Sequence, residues 1–237
     1  MIEQIKRELA SLSNPKEAPL KARFFRAYPG GYGEGDQFIG VTVPNQRKVA
    51  KKYFKEISLR EIEVLLIEPI HEYRLTGVFM LVLKYQKTKD EQLQEEIVNT
   101  YLKCVEGINN WDLVDSSAHH ILGPQLMRDE DTGLLYELAQ SGSLWEQRIA
   151  VIATFHFINH GEFEDSLNIA EMLINHKHDL IHKAVGWMLR EVGKRDYNVE
   201  YSFLVKHYKK MPRTMLRYAI EKFPEDVRQG FLKGEIG

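Results

Sequence analysis

The chain has 237 residues, of which 43% are hydrophobic and 28% are charged, and it contains one cysteine, Cys104. This composition is typical of a soluble globular protein with a sizeable core. A single cysteine excludes an intrachain disulfide and a cysteine-based metal cluster. No apolar run approaches the roughly 18 residues that cross a bilayer, and the N-terminal residues begin an amphipathic helix without the apolar segment of a signal peptide. We therefore expect a cytoplasmic protein.

The net charge of −2 is close to neutral, but the basic residues are unevenly distributed. Two runs contain basic residues and no acidic ones: Arg47, Lys48, Lys51, Lys52 and Lys55 in the first, and Lys206, Lys209, Lys210, Arg213 and Arg217 in the second. Such runs are often solvated helix faces, and they are also the pattern of a surface that binds nucleic acid. Both interpretations remain open on charge alone.

Apolar residues recur at helical spacing along most of the chain. The predicted helices cover residues 1–13, 16–28, 44–56, 58–68, 72–86, 90–105, 110–122, 124–128, 134–140, 144–159, 163–175, 179–195, 199–208 and 213–223, and a last one begins near Pro224. Ser58 and Glu61 form a capping box, and Gly123 and Pro124 are predicted to break the chain between two helices.

Residues 29–36 contain four glycines and are predicted to form a loop. This loop lacks the Gly-Lys-Ser/Thr ending of a phosphate-binding loop and has no strand before it, so we do not expect a nucleotide site there. Residues 38–43 have the composition of a strand, but the sequence offers no partner strand. We therefore predict an all-α fold.

A basic residue recurs near the start of several helices that share an apolar pattern. These residues are Arg74, Arg148, Lys183 and Arg217, and the last three are about 35 residues apart. Helix pairs that repeat at this period are typical of HEAT-like α-solenoids, which form a concave binding face. We expect one such domain over residues 1–237, with Arg148, Lys183 and Arg217 on its concave side.

Trp111 and Asp115 are four residues apart in the segment N-N-W-D-L-V-D. Side chains at this spacing lie on one face of a helix, so an aromatic ring and a carboxylate can meet a flat, cationic ligand together. The plainer interpretation is a half-buried Trp beside a solvated Asp. Asp112 lies about 100° around the helix from Trp111, and we expect it to serve as a cap or in a salt link.

A second segment places three cations and an indole on one helix face. These are Lys183, Trp187, Arg190 and Lys194, at spacings of 4, 3 and 4 residues. In the alternative interpretation, Trp187 is part of the core and the cations extend outward to solvent.

Four segments in order resemble the AlkD-type DNA alkylation repair family, the HEAT-like-repeat DNA glycosylases. They are Y-G-E-G-D-x-F-x-G-V-x-V-P from residue 32, W-D-x-V-D from residue 111, L-W-x-Q-R from residue 144 and K-A-x-G-W-x-L-R-E from residue 183. The resemblance implies that Trp111 and Trp187 are aromatic cleft residues, that Asp115 is the catalytic carboxylate and that Arg148 contacts the DNA backbone. Phe24 stands where some members have a tyrosine.

The resemblance implies a glycosylase that releases 3-methyladenine and 7-methylguanine from duplex DNA, as a monomer and without a cofactor or metal. An alkylated purine is already cationic and a good leaving group, so one carboxylate that stabilises the sugar cation suffices. The expected DNA-binding residues are Arg47, Lys51, Arg148, Lys183, Arg190, Lys194, Lys209, Lys210, Arg213 and Arg217.

The sequence allows two alternatives. The pairs His156/His160 and His178/His182 have the spacing of some zinc ligands, but the sequence shows no third ligand, so we expect no metal site.

The rival function is a non-catalytic HEAT-like scaffold that binds nucleic acid or a protein. Such a scaffold would not need Trp111, Asp115, Arg148 and Trp187 together.

Overall fold

The computed structural model describes residues 1–236, and the regular structure of that range is helical. The α-helices are α1 Ile2–Ser11, α2 Ala18–Phe24, α3 Val43–Tyr53, α4 Leu59–Leu66, α5 His71–Lys87, α6 Glu91–Lys103, α7 Trp111–Asp115, α8 Ala118–Asp129, α9 Gly133–Gln140, α10 Leu144–Asn159, α11 Glu164–Met172, α12 Asp179–Gly193, α13 Tyr197–His207, α14 Arg213–Ala219 and α15 Glu225–Lys233. Short 3₁₀ helices cover Val105–Gly107 and Ile220–Lys222. The all-α fold class is confirmed.

The strand-like residues 38–43 form no strand, and a β-bridge joins Gln37 to Ile70. The amide of His71 donates to the carbonyl of Gln37 at 2.8 Å, and the amide of Gln37 donates to the carbonyl of Pro69 at 2.9 Å. This bridge fixes the end of the glycine-rich loop against the start of α5. Among residues 1–236, no helix combines the length and the apolar content that crossing a bilayer requires.

The chain divides into two compact units, Met1–Ile121 and the residues from Leu122 onward, with the boundary inside α8. In the first unit α5 is the central helix, and α1, α3, α4, α6 and α7 pack against it. Its residues from His71 to Val82 are all buried. The capping box predicted at Ser58 and Glu61 is present at the start of α4.

In the second unit α12 is the central helix, and α10, α11, α13 and α14 pack against it, while α9 and α11 pack against α10. Within each unit, several helices that follow one another pack side by side, such as α4 with α5, α9 with α10 and α12 with α13, as expected for helical repeats. The concave DNA-binding face and the single domain remain predictions.

The predicted chain break at Gly123 and Pro124 is wrong, because both residues lie inside α8. Gly123 is needed for close packing against α10, since a Cβ there would lie 2.4 Å from the Cβ of His156. The predicted helix is instead interrupted earlier, because α7 ends at Asp115 and α8 begins at Ala118. The hydroxyl of Ser117 donates to the carbonyl of Leu113 at 2.6 Å, so a side chain takes a carbonyl that a continuing helix would use.

Candidate active site

Trp111 and Asp115 are the first and last residues of α7, so their side chains share one face of this short helix. The buried side chain of Asn110 caps it, because its Oδ1 accepts the amide of Trp111 at 2.9 Å. Burial raises the pKa of the Tyr101 hydroxyl, and the nearby Asp115 carboxylate adds to that rise. Asp115 therefore lies close to a buried phenol at the end of α7, and Trp111 and Asp115 are both half-buried.

Trp111 belongs to a group of stacked rings, which we call the aromatic cluster: Phe24, Phe25, Phe38, His71 and Trp111. Phe25 stacks on Trp111 at 5.3 Å and on Phe38 at 5.4 Å between ring centroids. Phe24 meets Trp111 edge-on at 5.9 Å and is 65% exposed. Trp111 is thus braced from the protein side by Phe25, and Phe24 extends the aromatic surface toward solvent.

His71, a member of the aromatic cluster, links two carboxylates. Its Nδ1 lies 3.0 Å from Oδ2 of Asp36, and its Nε2 lies 2.9 Å from Oδ2 of Asp112. Burial disfavours a charged ring, but Asp112 and Asp36 outweigh that effect and raise the pKa of His71. The expected salt link of Asp112 is confirmed, and it ties α7 to α5 and to the glycine-rich loop.

Arg74, one turn further along α5, adds to this linkage. Its Nη2 donates to Asp36 Oδ1 at 2.6 Å and to Asn109 Oδ1 at 3.0 Å, and its Nη1 donates to the carbonyl of Glu68 at 2.8 Å. Burial opposes the charge on Asp36, yet the hydrogen bond from His71 and the charges of Arg74 and His71 lower its pKa. Asp36, His71, Arg74 and Asp112 therefore form a buried charged network.

The same helix holds the segment after the glycine-rich loop. The buried carboxylate of Glu72 accepts the amides of Ile39 at 3.1 Å and Gly40 at 2.9 Å. Gly33 has no room for a side chain, because a Cβ there would lie 2.4 Å from the carbonyl oxygen of Phe25. The glycines in this loop allow the backbone to pass close to the aromatic cluster.

In the second unit, Trp187 lies on α12 and is half-buried. Its Nε1 donates to Oε1 of Glu191 at 3.1 Å, and its ring centroid is 5.9 Å from that of Phe155. The Glu191 carboxylate also pairs with Lys194 at 2.6 Å and with Arg195 at 3.3 Å. The Trp187 indole nitrogen is therefore hydrogen-bonded to a carboxylate that also forms salt bridges with two cations.

The other cations predicted around Trp187 have acidic partners as well. Lys183 pairs with Asp179 at 2.7 Å, and Arg190 forms a salt bridge with Glu221 of the second 3₁₀ helix. The sequence prediction placed Lys183, Arg190 and Lys194 around the indole. In the structure each of them is paired with a carboxylate, and a phosphate contact requires exchange of that partner.

Arg148 is only 5% exposed, and its Nη1 donates to the carbonyl of Leu180 at 2.5 Å. It thereby joins α10 to the start of α12, and a contact with DNA requires its side chain to move. The remaining predicted DNA-binding residues are exposed: Arg47, Lys51, Lys209, Lys210, Arg213 and Arg217.

The family model of the DNA alkylation repair enzymes matches residues 5–223. The chain belongs to this family. A solved structure described as a predicted DNA alkylation repair enzyme from Enterococcus faecalis is similar in fold, with a TM-score of 0.70 over 90% of this chain and 97% of that chain. The two sequences are 17% identical, so this likeness concerns the fold alone. Among curated proteins, none matches the chain.

In this DNA alkylation repair enzyme, sequence reasoning missed the buried charged network and most of the aromatic cluster. For Asp36 and His71 the sequence offers one signal, their position next to a predicted boundary: Asp36 is the last residue of the glycine-rich loop, and His71 directly precedes the predicted helix 72–86. Phe25 and Phe38 gave only the signal of ordinary core residues. Their joint position against Trp111 depends on how α2, the loop and α7 pack, which local spacing does not determine.

Proposed function

We propose that the protein is a DNA glycosylase that hydrolyses the N-glycosidic bond of N3- or N7-alkylated purines in duplex DNA, such as 3-methyladenine and 7-methylguanine. The observation that carries the proposal is the pair Trp111 and Asp115 on one face of a capped helix that the aromatic cluster braces. Membership of the DNA alkylation repair enzyme family supports the same substrate class.

The chemistry requires little beyond that pair. An N3- or N7-alkylated purine carries a positive charge, so it leaves without a strong general acid. The sugar becomes cationic in the transition state, and the Asp115 carboxylate stabilises that charge and orients the attacking water. The Trp111 ring adds cation–π attraction of roughly 0.5–2 kcal/mol to the lesion or to the sugar cation. No cofactor or metal enters this mechanism.

Each unit contributes its own proposed contacts with double-stranded DNA. In the first unit these are the exposed Arg47 and Lys51, and in the second unit they are Trp187 and the cations Lys183, Arg190, Lys194, Lys209, Lys210, Arg213 and Arg217. The cations now paired with carboxylates would exchange these partners for phosphates, which are competing anions of similar geometry. The protein acts on DNA as a monomer in this proposal.

The test is single-turnover release of 7-methylguanine from a methylated duplex by Asp115→Asn. Asn is nearly isosteric with Asp, so we expect the fold and the DNA affinity to remain while the excision rate falls by roughly 10²–10³, the usual effect of one preorganised charge contact. DNA affinity is measured in parallel, and it is expected to stay the same or to rise slightly, because a carboxylate repels the phosphate backbone.

The matched control is Asp112→Asn on the same helix. Asp112 holds His71 and accepts the amide of Leu113 at 3.0 Å. Asn keeps a hydrogen-bonding side chain at both contacts and removes only the charge, so this variant is expected to lose stability while α7 stays in place and the chemical step is kept. An Asp115→Asn protein that excises at the wild-type rate contradicts the proposed catalytic role. Wild-type protein that binds DNA and releases no alkylated base supports the scaffold function instead.

A further inference from the structure

A pocket of about 350 Å³ opens between α3, α5 and the segment formed by the turn after α7 and the first turn of α8. Its size is at the lower end of small-ligand sites. One wall is apolar and consists of Phe79 and neighbouring residues of α5, while polar side chains from the three surrounding segments complete the lining. None of the described residues that line it carries a carboxylate.

Two cations stand at the α3 side of the pocket. The guanidinium of Arg47 lies 4.0 Å from the ring centroid of Phe79, a cation–π contact that holds it at the apolar wall. Lys51 follows one turn later on the same face. In the described chain neither cation forms a salt bridge, whereas their neighbour Lys52 pairs with Glu8 at 2.7 Å. Two cations without a carboxylate partner favour an anionic ligand.

The opposite side of the pocket carries neutral hydrogen-bond donors. The side-chain amide of Gln86 lies 3.3 Å from Nδ1 of His120. Burial and the charge of Arg47 lower the pKa of His120, so the ring is neutral near pH 7. With Nδ1 accepting from the amide, the proton of the neutral ring is on Nε2. The hydroxyl of Ser116 completes this side.

We propose that this pocket binds a phosphate ester: the phosphate contacts Arg47 and Lys51, and the attached sugar lies on Phe79. The ester we assign is a phosphodiester of the DNA strand that carries the lesion, and this choice of source rests on the proposed function. Ser116 directly follows Asp115, so a phosphate held beside Ser116 fixes the register of the strand relative to that carboxylate. Phosphate contacts commonly serve to position a protein on DNA in this way.

The first test follows the imidazole NMR signals of His120, assigned with His120→Gln, in a buffer free of phosphate. Deoxyribose 5-phosphate and, separately, an unmodified duplex are titrated into the wild-type protein. We expect both ligands to move the His120 signals, with His160 at the end of α10 as an unaffected reference for the sugar phosphate. We expect the same two ligands to leave His120 unmoved in Arg47→Ala/Lys51→Ala.

The matched control is Lys48→Ala/Lys55→Ala. It removes two charges from the same basic run, and these residues do not line the pocket. At equal salt, Arg47→Ala/Lys51→Ala is expected to bind the duplex roughly tenfold more weakly than this control, since it loses charge-assisted hydrogen bonds in addition to charge. Equal affinities of the two double variants would contradict a built phosphate site.

The other outcomes separate this inference from the proposed function. If neither ligand moves the His120 signals, the inference is wrong, whatever the protein excises. If deoxyribose 5-phosphate moves them and the duplex does not, the pocket serves a free phosphate ester, and the assignment to the DNA strand is overturned. If both ligands move them in a protein that releases no alkylated base, the pocket stands and the glycosylase proposal fails.

Discussion

Replacement of His71 by Gln tests the buried charged network that holds α7. The His71 side chain is 2% exposed and contacts Asp36 at 3.0 Å and Asp112 at 2.9 Å. Gln is uncharged, so it leaves two carboxylates facing a neutral group. Removal of one partner from a buried ion pair costs about 3–5 kcal/mol. We expect His71→Gln to lower the free energy of unfolding by that amount at pH 6.

The loss of unfolding free energy in His71→Gln should depend on pH, and the contacts of His71 determine the direction of that dependence. Burial lowers the pKa of His71, but its two carboxylate partners outweigh burial and raise it above the unfolded value, which is about 6.5. The stabilisation by the charged ring is therefore complete below about pH 6.5 and is lost as the pH rises through the folded pKa. The difference between wild type and His71→Gln should narrow as the pH rises.

Urea unfolding followed by tryptophan fluorescence between pH 5.5 and pH 9 measures this difference. The exposed His160 supplies the control, because His160→Gln should change stability little at any pH. The His71→Gln variant should also excise more slowly than wild type in single-turnover assays without urea, at a temperature well below the midpoint of thermal unfolding, since α7 loses its link to α5. A stability difference that is constant with pH, or that widens toward pH 9, would refute a charged His71 between two carboxylates.

Two further predictions concern the second unit. Burial raises the pKa of Glu200 to about 9. The wild-type protein is therefore fully stable with respect to this group below the unfolded pKa near 4.5, and it loses stability as the pH rises toward 9. In thermal unfolding, Glu200→Gln should be more stable than wild type by about 3 kcal/mol at pH 7 and by little at pH 4.5. The exposed Glu137→Gln should show no such trend. Replacement of Lys209, Lys210 and Arg213 by Ala should flatten the dependence of log K for duplex DNA on log salt by about 0.9 for each phosphate that these side chains neutralise, and an unchanged slope would identify this run as solvated surface.

Most helices could be predicted from the sequence because apolar periodicity and capping residues are local signals. Ser58 and Glu61 illustrate this, since their spacing alone defines the start of α4. The break between α7 and α8 could not be predicted in the same way. It is associated with the buried Ser117 hydroxyl, and Gly123 marks a helix contact with His156 where the sequence suggested a turn.

In the candidate site, too, the local relations could be predicted from the sequence and the contacts between distant residues could not. Trp111 and Asp115 could be placed together because four residues along a helix fix their relation. The partners of Asp112 could not, since Asp36, His71 and Asp112 are separated by 35 and 41 residues along the chain. The acidic partners of the cations near Trp187 escaped prediction for the same reason, as Arg190 pairs with Glu221 from another element.

The short length of α7 explains why these long-range contacts matter for the proposed chemistry. A helix of five residues has almost no stability of its own, so the geometry of Asp115 depends on what holds the helix from outside. Asn110 caps its first turn, His71 holds Asp112, and Phe25 stacks on Trp111. Electrostatic stabilisation of a transition state requires a charge that is fixed before the reaction begins. In the proposed mechanism, the buried charged network and Phe25 therefore act on catalysis through the position of α7, without contact with the DNA.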